Sequence, residues 1–255
     1  MPVYRLILAY DGSDFSGWQR QPGRRCVQSE LEAALAVLAR EPVAVQGAGR
    51  TDAGVHALGQ CASFRLASPL PEQRLLASLR GLLPRDMTPL DLQRCADGFN
   101  ARFSALGRHY HYRLSRRACA PFRRLRWELP FAIDLDAMQE ALLPLRAARQ
   151  WRGFCTPESA LKGADCRLSE LELEPWGEEI RLRIGADRFL HHMVRIIVGT
   201  LVEIGRGRWG PQRIELILAE QDRALAGPTA PAHGLYLESV DYPPEHMTPG
   251  GDEPE

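Results

Sequence analysis

The protein has 255 residues, of which 45% are hydrophobic, and its 32 basic side chains are balanced by 32 acidic ones. This length allows one large domain or two of ordinary size around a substantial buried core. No run of about 18 apolar residues is present and the N-terminus lacks a signal-peptide pattern, so we expect a cytoplasmic protein without a membrane segment. The six scattered cysteines form no C-x-x-C pair, which predicts free, mostly buried thiols and argues against a zinc site or a disulfide framework.

The neutral net charge conceals an uneven distribution of basic side chains. All but one of the 32 basic residues are arginine, whose planar guanidinium suits phosphate groups and stacks on bases. Residues 100–126 contain eight arginines and no acidic residue, whereas acidic residues gather near the C-terminus. This pattern predicts a basic region suited to nucleic acid, although the arginine count by itself is equally explained by genome composition.

Strands and helices alternate in the first part of the chain. Runs of β-forming residues predict strands, and apolar side chains repeating every three to four positions predict amphipathic helices. We expect strands at residues 3–9, 42–46, 61–66 and 86–94, and helices at residues 27–40 and 71–83. Ser29 and Glu32 suggest a capping box for the first helix. The order predicts an α/β domain, with helices packed against a sheet, over residues 1–105.

The second part of the chain repeats this theme without a visible sequence repeat. We expect strands at residues 107–115, 166–174, 179–187 and 235–242, and helices at residues 134–148, 189–205 and 211–219. These elements predict a second α/β domain over residues 106–245. Residues 246–255 contain prolines, glycines and acidic residues with almost nothing apolar, which predicts a disordered acidic tail.

An arginine and a carboxylate, Arg50 and Asp52, lie among glycines and small residues in the stretch 47–60. Glycine lets a ligand approach the main chain, and a loop held between two strands is a usual place for reactive groups. The same residues also suit an ordinary turn, in which Thr51 or Asp52 bonds to nearby backbone N–H groups. A dinucleotide-binding motif is excluded, because no third glycine stands at the required position and no helix pattern follows.

Histidines and tyrosines alternate along the strand expected at residues 107–115. His109 and His111 fall on one face and could together bind a metal, but no third ligand is identifiable. On the other face, Tyr110 suits stacking on an unpaired base, with a place in the protein core as the alternative. The strand alone favours the core interpretation.

Arg195 interrupts the apolar run of residues 189–205. A buried guanidinium is costly unless it is paired, and Asp52 is the natural partner. The alternative is an arginine on the outer surface of the helix. His191 and His192 would point about 100° apart on a helix, which makes them poor joint ligands of a metal.

Several ordered motifs point to one protein family. They are Tyr10-Asp11-Gly12 followed by Phe15, Gly17, Trp18, Gln19 and Gln21; the stretch 47–60; residues 99–105 followed by Arg108-x-Tyr110-x-Tyr112; residues 189–201; and residues 226–237. Together they resemble the tRNA pseudouridine synthase I family, also called the TruA family. Gly153 departs from the family pattern, which usually has an acidic residue at this position, directly before the phenylalanine that is Phe154 here.

The resemblance implies isomerisation of uridine to pseudouridine at positions 38, 39 and 40 in the anticodon arm of tRNA, by a homodimer without a metal or another cofactor. It implies that Asp52 is the catalytic residue, that Tyr110 meets the target uridine and that Arg195 pairs with the aspartate. We expect Arg50 to fill or prop the position vacated by the flipped base. The implied fold is α/β, with two similar domains, each a mainly antiparallel sheet flanked by helices, and an active-site cleft between them.

Two other functions stay open at this point. A hydrolase acting on a glycosidic bond would need a second carboxylate near Asp52, such as Asp11 or Asp14, and would release free uracil. A non-catalytic RNA-binding module would keep the arginine and tyrosine contacts but tolerate Asp52→Ala.

Overall fold

Nine strands and seven α-helices make up residues 1–246, the part of the chain that the computed structural model describes. The strands are β1 (Val3–Tyr10), β2 (Val45–Gly47), β3 (His56–Arg65), β4 (Met87–Cys95), β5 (Gly107–Ser115), β6 (Trp127–Glu128), β7 (Leu168–Trp176), β8 (Glu179–Ala186) and β9 (Leu235–Asp241). The helices are α1 (Val27–Ala39), α2 (Glu72–Leu82), α3 (Leu135–Glu140), α4 (Leu142–Ala147), α5 (Pro157–Ala160), α6 (Met193–Gly205) and α7 (Arg213–Glu220). The tail predicted at residues 246–255 lies, apart from His246, outside the described residues.

The first of two compact units contains Met1–Leu106 together with the segment that begins at Leu237. Its strand order is β4-β1-β3-β9, with β2 pairing to β3, and β1 runs antiparallel to both β3 and β4. Helix α2 packs on β4, and α1 contacts α2 and β2. Leu31 and Leu35 of α1 and Leu75 and Leu79 of α2 are buried, which closes the core on the helical side of the sheet.

The second unit, Gly107–Tyr236, has its own antiparallel strands in the order β5-β8-β7, and β6 adds a short parallel pairing to β5. Helix α6 is buried along almost its whole length and packs on α3. The predicted fold class is confirmed, since helices flank mainly antiparallel strands. No helix within residues 1–246 has the length and apolar character needed to cross a membrane.

The prediction of one helix at residues 134–148 was wrong in one respect, because this segment divides into α3 and α4 at Ala141. Pro144 has no N–H to donate to the carbonyl of Glu140, so the hydrogen-bond ladder of one continuous helix cannot pass this point. In α4, Pro144 falls within the first turn, where an N–H would have no partner inside the helix.

The predicted start of α6 at residue 189 was also wrong. His192 has a φ of 64°, in the left-handed region, and the helix begins only at Met193. His191 and His192 therefore precede the helix, and the argument that a helix separates them by about 100° does not apply. Their ring centroids lie 3.9 Å apart.

The cap of α1 differs from the predicted pairing of Ser29 with Glu32. Cys26 is the N-cap residue, and the Ser29 hydroxyl accepts from its N–H at 3.3 Å and donates to its carbonyl at 2.8 Å. Glu32 instead accepts from the backbone N–H of Val45, which ties the helix to β2. All six cysteines are free and all but Cys119 are buried, as predicted.

Candidate active site

A short loop, residues 48–55, connects β2 to β3 and carries Arg50 and Asp52. The loop is shorter than expected, because β3 begins at His56 and not at residue 61. Asp52 is half-buried and Arg50 is exposed. The N–H of Val55 donates to the carbonyl of Asp52 at 3.2 Å, and Gly54 has a φ of 79°, which glycine adopts without strain. A turn is therefore present here, and its backbone hydrogen bond holds the carbonyl of Asp52.

Residues 11–18 pack against this loop so closely that only glycine fits at two positions. The N–H of Trp18 donates to the carbonyl of Thr51 at 3.0 Å. A Cβ atom at Gly17, whose φ is 91°, would lie 2.7 Å from that carbonyl oxygen, and one at Gly12 would collide with the carbonyl of Val55. Trp18 is 2% exposed, so it is a core residue, and the segment it belongs to supports the loop.

Two buried side chains hold the loop from the side of the sheet. The hydroxyl of Tyr10 lies 2.8 Å from the hydroxyl oxygen of Thr51. The amide nitrogen of Gln60 lies 2.9 Å from the carbonyl oxygen of Gly49 and 3.4 Å from the Tyr10 hydroxyl. Burial raises the pKa of Tyr10 to about 12, although its hydrogen bonds to Thr51 and Gln60 oppose the rise, so the phenol stays protonated at neutral pH.

His56 lies at the end of the loop and contacts two groups of the supporting segment. Its Nδ1 is 3.2 Å from a carboxylate oxygen of Asp11 and 3.1 Å from the N–H nitrogen of Gly12. A ring nitrogen cannot donate to the carboxylate and accept from the N–H at the same time, so the tautomer decides which contact is a hydrogen bond. Asp11 also accepts from the N–H of Ser13, which caps a short turn.

In the second unit, the predicted base-contacting residue Tyr110 lies on β5 and is 9% exposed. Its ring packs edge-to-face against Phe189, with the centroids 5.1 Å apart. His109 contacts Glu170 through Nδ1 at 3.2 Å, whereas His111 stacks on Tyr236 with centroids 4.8 Å apart. The two histidines considered as metal ligands thus have different neighbours, and the absence of a metal stays a prediction.

Arg195 is half-buried, whereas every other residue of α6 is buried. Its Nε donates to the carbonyl of Ala230 at 2.8 Å, and the N–H of Ala230 donates back to the carbonyl of Arg195 at 3.0 Å. Gly199 allows this approach, because a Cβ there would overlap the carbonyl of Pro228. Arg195 belongs to a different unit from Asp52, and their pairing stays a prediction.

The sequence matches the family model described as tRNA pseudouridine synthase over residues 6–104 and 149–243. The chain belongs to the tRNA pseudouridine synthase family. It is 42% identical to tRNA pseudouridine synthase A of Moorella thermoacetica, with 95% of this chain and 100% of the relative covered. The same protein of Rhodopseudomonas palustris is 41% identical with the same coverage, and that of Geobacter sulfurreducens is 39% identical with the same coverage. The resemblance is confirmed along nearly the whole chain.

At Gly153, where the family resemblance led us to expect an acidic residue, there is little room for a side chain. Gly153 is buried, and a Cβ atom there would lie 2.6 Å from the Cγ2 of Ile217 and 3.0 Å from its carbonyl oxygen. A side chain at this position would require Ile217 of α7 to shift. The short turn around Gly153 is instead anchored by its buried neighbours Trp151 and Phe154.

For an isomerase family that acts on tRNA, the arginines of residues 100–126 are the first candidates for contacts to phosphate. Two of them are already paired with acidic residues, since Arg113 and Arg126 both donate to Glu179, at 2.8 to 2.9 Å, and Arg126 also lies 3.5 Å from a carboxylate oxygen of Glu128. Arg116 and Arg117 are exposed, and within residues 1–246 their guanidinium groups have no hydrogen-bond or ion-pair partner. The basic surface is therefore smaller than the sequence count of eight arginines suggests.

Proposed function

We propose that this protein isomerises uridine to pseudouridine at positions 38, 39 and 40 in the anticodon arm of tRNA, with Asp52 as the catalytic residue. The observation that carries this proposal is the half-buried carboxylate of Asp52, in a loop braced by hydrogen bonds and by glycines that admit no side chain. Such bracing holds a reactive group in one geometry, which is what positioning catalysis requires. Family membership supplies the reaction class.

The reaction breaks the bond between C1′ of the ribose and N1 of uracil, turns the base and joins C5 to C1′; C5 loses a proton and N1 gains one. The product has the same atoms as the substrate, so no oxidant, reductant or energy source is required. Asp52 can attack the sugar, attack the base or remove a sugar proton. Each route uses an ionised carboxylate, and one such group is compatible with all three.

The other site residues have complementary roles in this proposal. The target base leaves its helix, because its reacting atoms are inaccessible inside a paired stem. Arg50, exposed and two residues before Asp52, fills the vacated position. Tyr110 contacts the flipped uracil, and Arg195 pairs with Asp52 and orients its carboxylate. The enzyme works as a homodimer without a metal or another cofactor.

A hydrolase with two carboxylates is the less favoured alternative. It would use Asp11 or Asp14 as the second acid, but the carboxylate of Asp11 accepts from Ser13 and contacts His56, so Asp11 already has a structural role. A binding module that needs no Asp52 offers no reason for the bracing of the loop on both sides.

The proposal is tested by measuring pseudouridine formation in a tRNA anticodon stem-loop, with enzyme in excess and without metal. The wild type is expected to form pseudouridine, and Asp52→Asn is expected to bind the RNA but form none. Asp97→Asn, a change of an exposed aspartate, is the matched control and should keep wild-type activity. Binding without product from the wild type would support the binding module, and release of free uracil would support the hydrolase.

A further inference from the structure

The hydrogen bonds between Gln60, Tyr10 and Thr51 have a defined direction. The carbonyl of Gly49 can only accept, so the Gln60 atom that faces it must be the amide nitrogen. The same nitrogen lies 3.4 Å from the Tyr10 hydroxyl oxygen, which therefore accepts from Gln60. The hydrogen of the Tyr10 hydroxyl is then left to donate.

The only acceptor that residues 1–246 offer to the Tyr10 hydrogen is the hydroxyl oxygen of Thr51, at 2.8 Å. Tyr10 is 5% exposed, and a buried donor without an acceptor is costly, so this bond runs from Tyr10 to Thr51. The raised pKa of Tyr10, about 12, keeps the donor protonated. Thr51 thus accepts, and its own hydroxyl hydrogen has no acceptor among the described residues.

Thr51 is the residue directly before Asp52, and it is 6% exposed. Its backbone carbonyl is held by the N–H of Trp18 at 3.0 Å, while its hydroxyl is held by Tyr10. Both ends of the residue are therefore fixed, and the hydroxyl hydrogen points away from Tyr10, because the hydroxyl oxygen accepts from it. A buried polar hydrogen that the protein leaves without a partner is available to a ligand.

We propose that Tyr10 is a positioning residue that orients Thr51, and that the Thr51 hydroxyl donates a hydrogen bond to an oxygen atom of the nucleotide bound beside Asp52. This inference rests on the proposed function, because it places the target nucleotide at the Asp52 loop. In this proposal, Gln60 fixes the direction of the hydrogen bond from Tyr10 to Thr51 by donating to the Tyr10 hydroxyl. The hydrogen bond from Thr51 increases the reaction rate most if it forms in the transition state, where an oxygen of the ribose or the uracil carries developing charge.

The first test uses variants of Thr51 in the single-turnover assay on the stem-loop. Thr51→Val replaces the hydroxyl with a methyl group of similar size, and we expect the rate constant at saturating enzyme to fall about 10- to 100-fold, with the RNA dissociation constant changed less than about twofold. Thr51→Ser keeps the donor and should stay within about threefold of the wild type.

The second test asks whether Tyr10 acts through Thr51. Tyr10→Phe keeps the ring, which packs near Phe15 and Trp18, and removes only the hydroxyl. We expect a rate constant lower by about tenfold, and we expect the double variant with Thr51→Val to be no slower than Thr51→Val alone, because both changes interrupt one pathway.

Tyr4→Phe is the matched control for lost stability. Tyr4 lies on the same strand, is 1% exposed, and its hydroxyl accepts from the N–H of Leu70 and donates to its carbonyl, both at 2.9 Å. This variant should lower the denaturation midpoint and leave the rate constant unchanged. If Tyr10→Phe and Thr51→Val also changed only the midpoint, the bonds would be structural and the inference would be overturned.

Asp52→Asn in the same assay separates the two proposals. Product from the wild type and none from Asp52→Asn, together with full rates for both Thr51 variants, would overturn this inference and leave the proposed function standing. No product from the wild type on any tested RNA would overturn both.

Discussion

At Gly153 the fold leaves too little room for a side chain. A Cβ atom there would meet both a methyl group and the backbone oxygen of Ile217, and the backbone oxygen cannot move without displacing α7. We expect Gly153→Ala to lower the free energy of unfolding by about 1–3 kcal/mol, the usual cost of overpacking a well-filled interior. Urea denaturation of the wild type and the variant measures this difference.

Gly81→Ala is the control for the backbone effect of the substitution. Gly81 lies inside α2, and a Cβ atom there would meet nothing within 4 Å. Because alanine loses less backbone entropy in a helix than glycine, we expect this variant to be more stable by about 0.5–1 kcal/mol. A Gly153→Ala variant as stable as Gly81→Ala would show that α7 does not pack as closely as described.

The residues of the candidate site could be predicted from sequence only through motifs. Arg50 and Asp52 stand out because glycines surround them, and the family resemblance assigns roles to them and to Tyr110 and Arg195. Gln60 ends the motif at residues 47–60, but nothing in the sequence assigned a role to it. Its partner Tyr10 is 50 residues away, and no local pattern reports that β1 and β3 place the two side chains together.

At the scale of elements, β5 and β8 are joined at one end by a cluster of two arginines around Glu179. Burial acts to raise the pKa of Glu179, but the hydrogen bonds from Arg113 and Arg126 act more strongly in sum, so the pKa lies below its ordinary value of 4.5. The folded state therefore favours the ionised carboxylate. Its contribution to stability is fully present above that ordinary value and is lost as the pH falls through the lower pKa of the folded state.

We expect Glu179→Gln to lower the free energy of unfolding by about 2 kcal/mol at neutral pH, because two arginines lose their counter-charge. The difference from the wild type should shrink as the pH falls below 4.5. Glu178→Gln is the matched control, since Glu178 is the exposed neighbour, and it should change stability little at any pH. Urea titrations over a series of pH values measure how the free energy of unfolding of each variant depends on pH. A difference between Glu179→Gln and the wild type that is independent of pH would contradict the lowered pKa of Glu179.

The helices and strands could be predicted where the hydrophobic periodicity was clear. The predictions failed where a single residue overrides that periodicity. Strand β5 was predicted with its observed ends, and α1 to within one residue. Two of the errors fall at Pro144, whose missing N–H divides a helix, and at His192, whose left-handed backbone makes a helix begin later than predicted. The apolar pattern continues through both positions, so hydrophobic periodicity alone cannot reveal the interruption.

At the scale of the whole molecule, a formal net charge of zero has to be reconciled with a polyanionic substrate. Binding to RNA depends on the local charge that replaces counterions along the phosphate backbone, and not on the net charge of the protein. In residues 100–126, two acidic residues from outside the stretch, Glu128 and Glu179, pair with Arg113 and Arg126, whereas Arg116 and Arg117 stay exposed. The charge available to RNA is thus set by the fold and not by composition.

We expect the affinity for an anticodon stem-loop to fall steeply as salt concentration rises, and Arg116→Ala and Arg117→Ala each to reduce the slope of log affinity against log salt by about 1, as for the loss of one phosphate contact. Arg74→Ala removes an exposed arginine of α2, outside the arginine-rich stretch, and should leave the slope unchanged. Filter binding over a series of salt concentrations gives these slopes. If both arginine variants kept the wild-type slope, the exposed end of the stretch would not face RNA, and contacts to phosphate would have to come from other arginines.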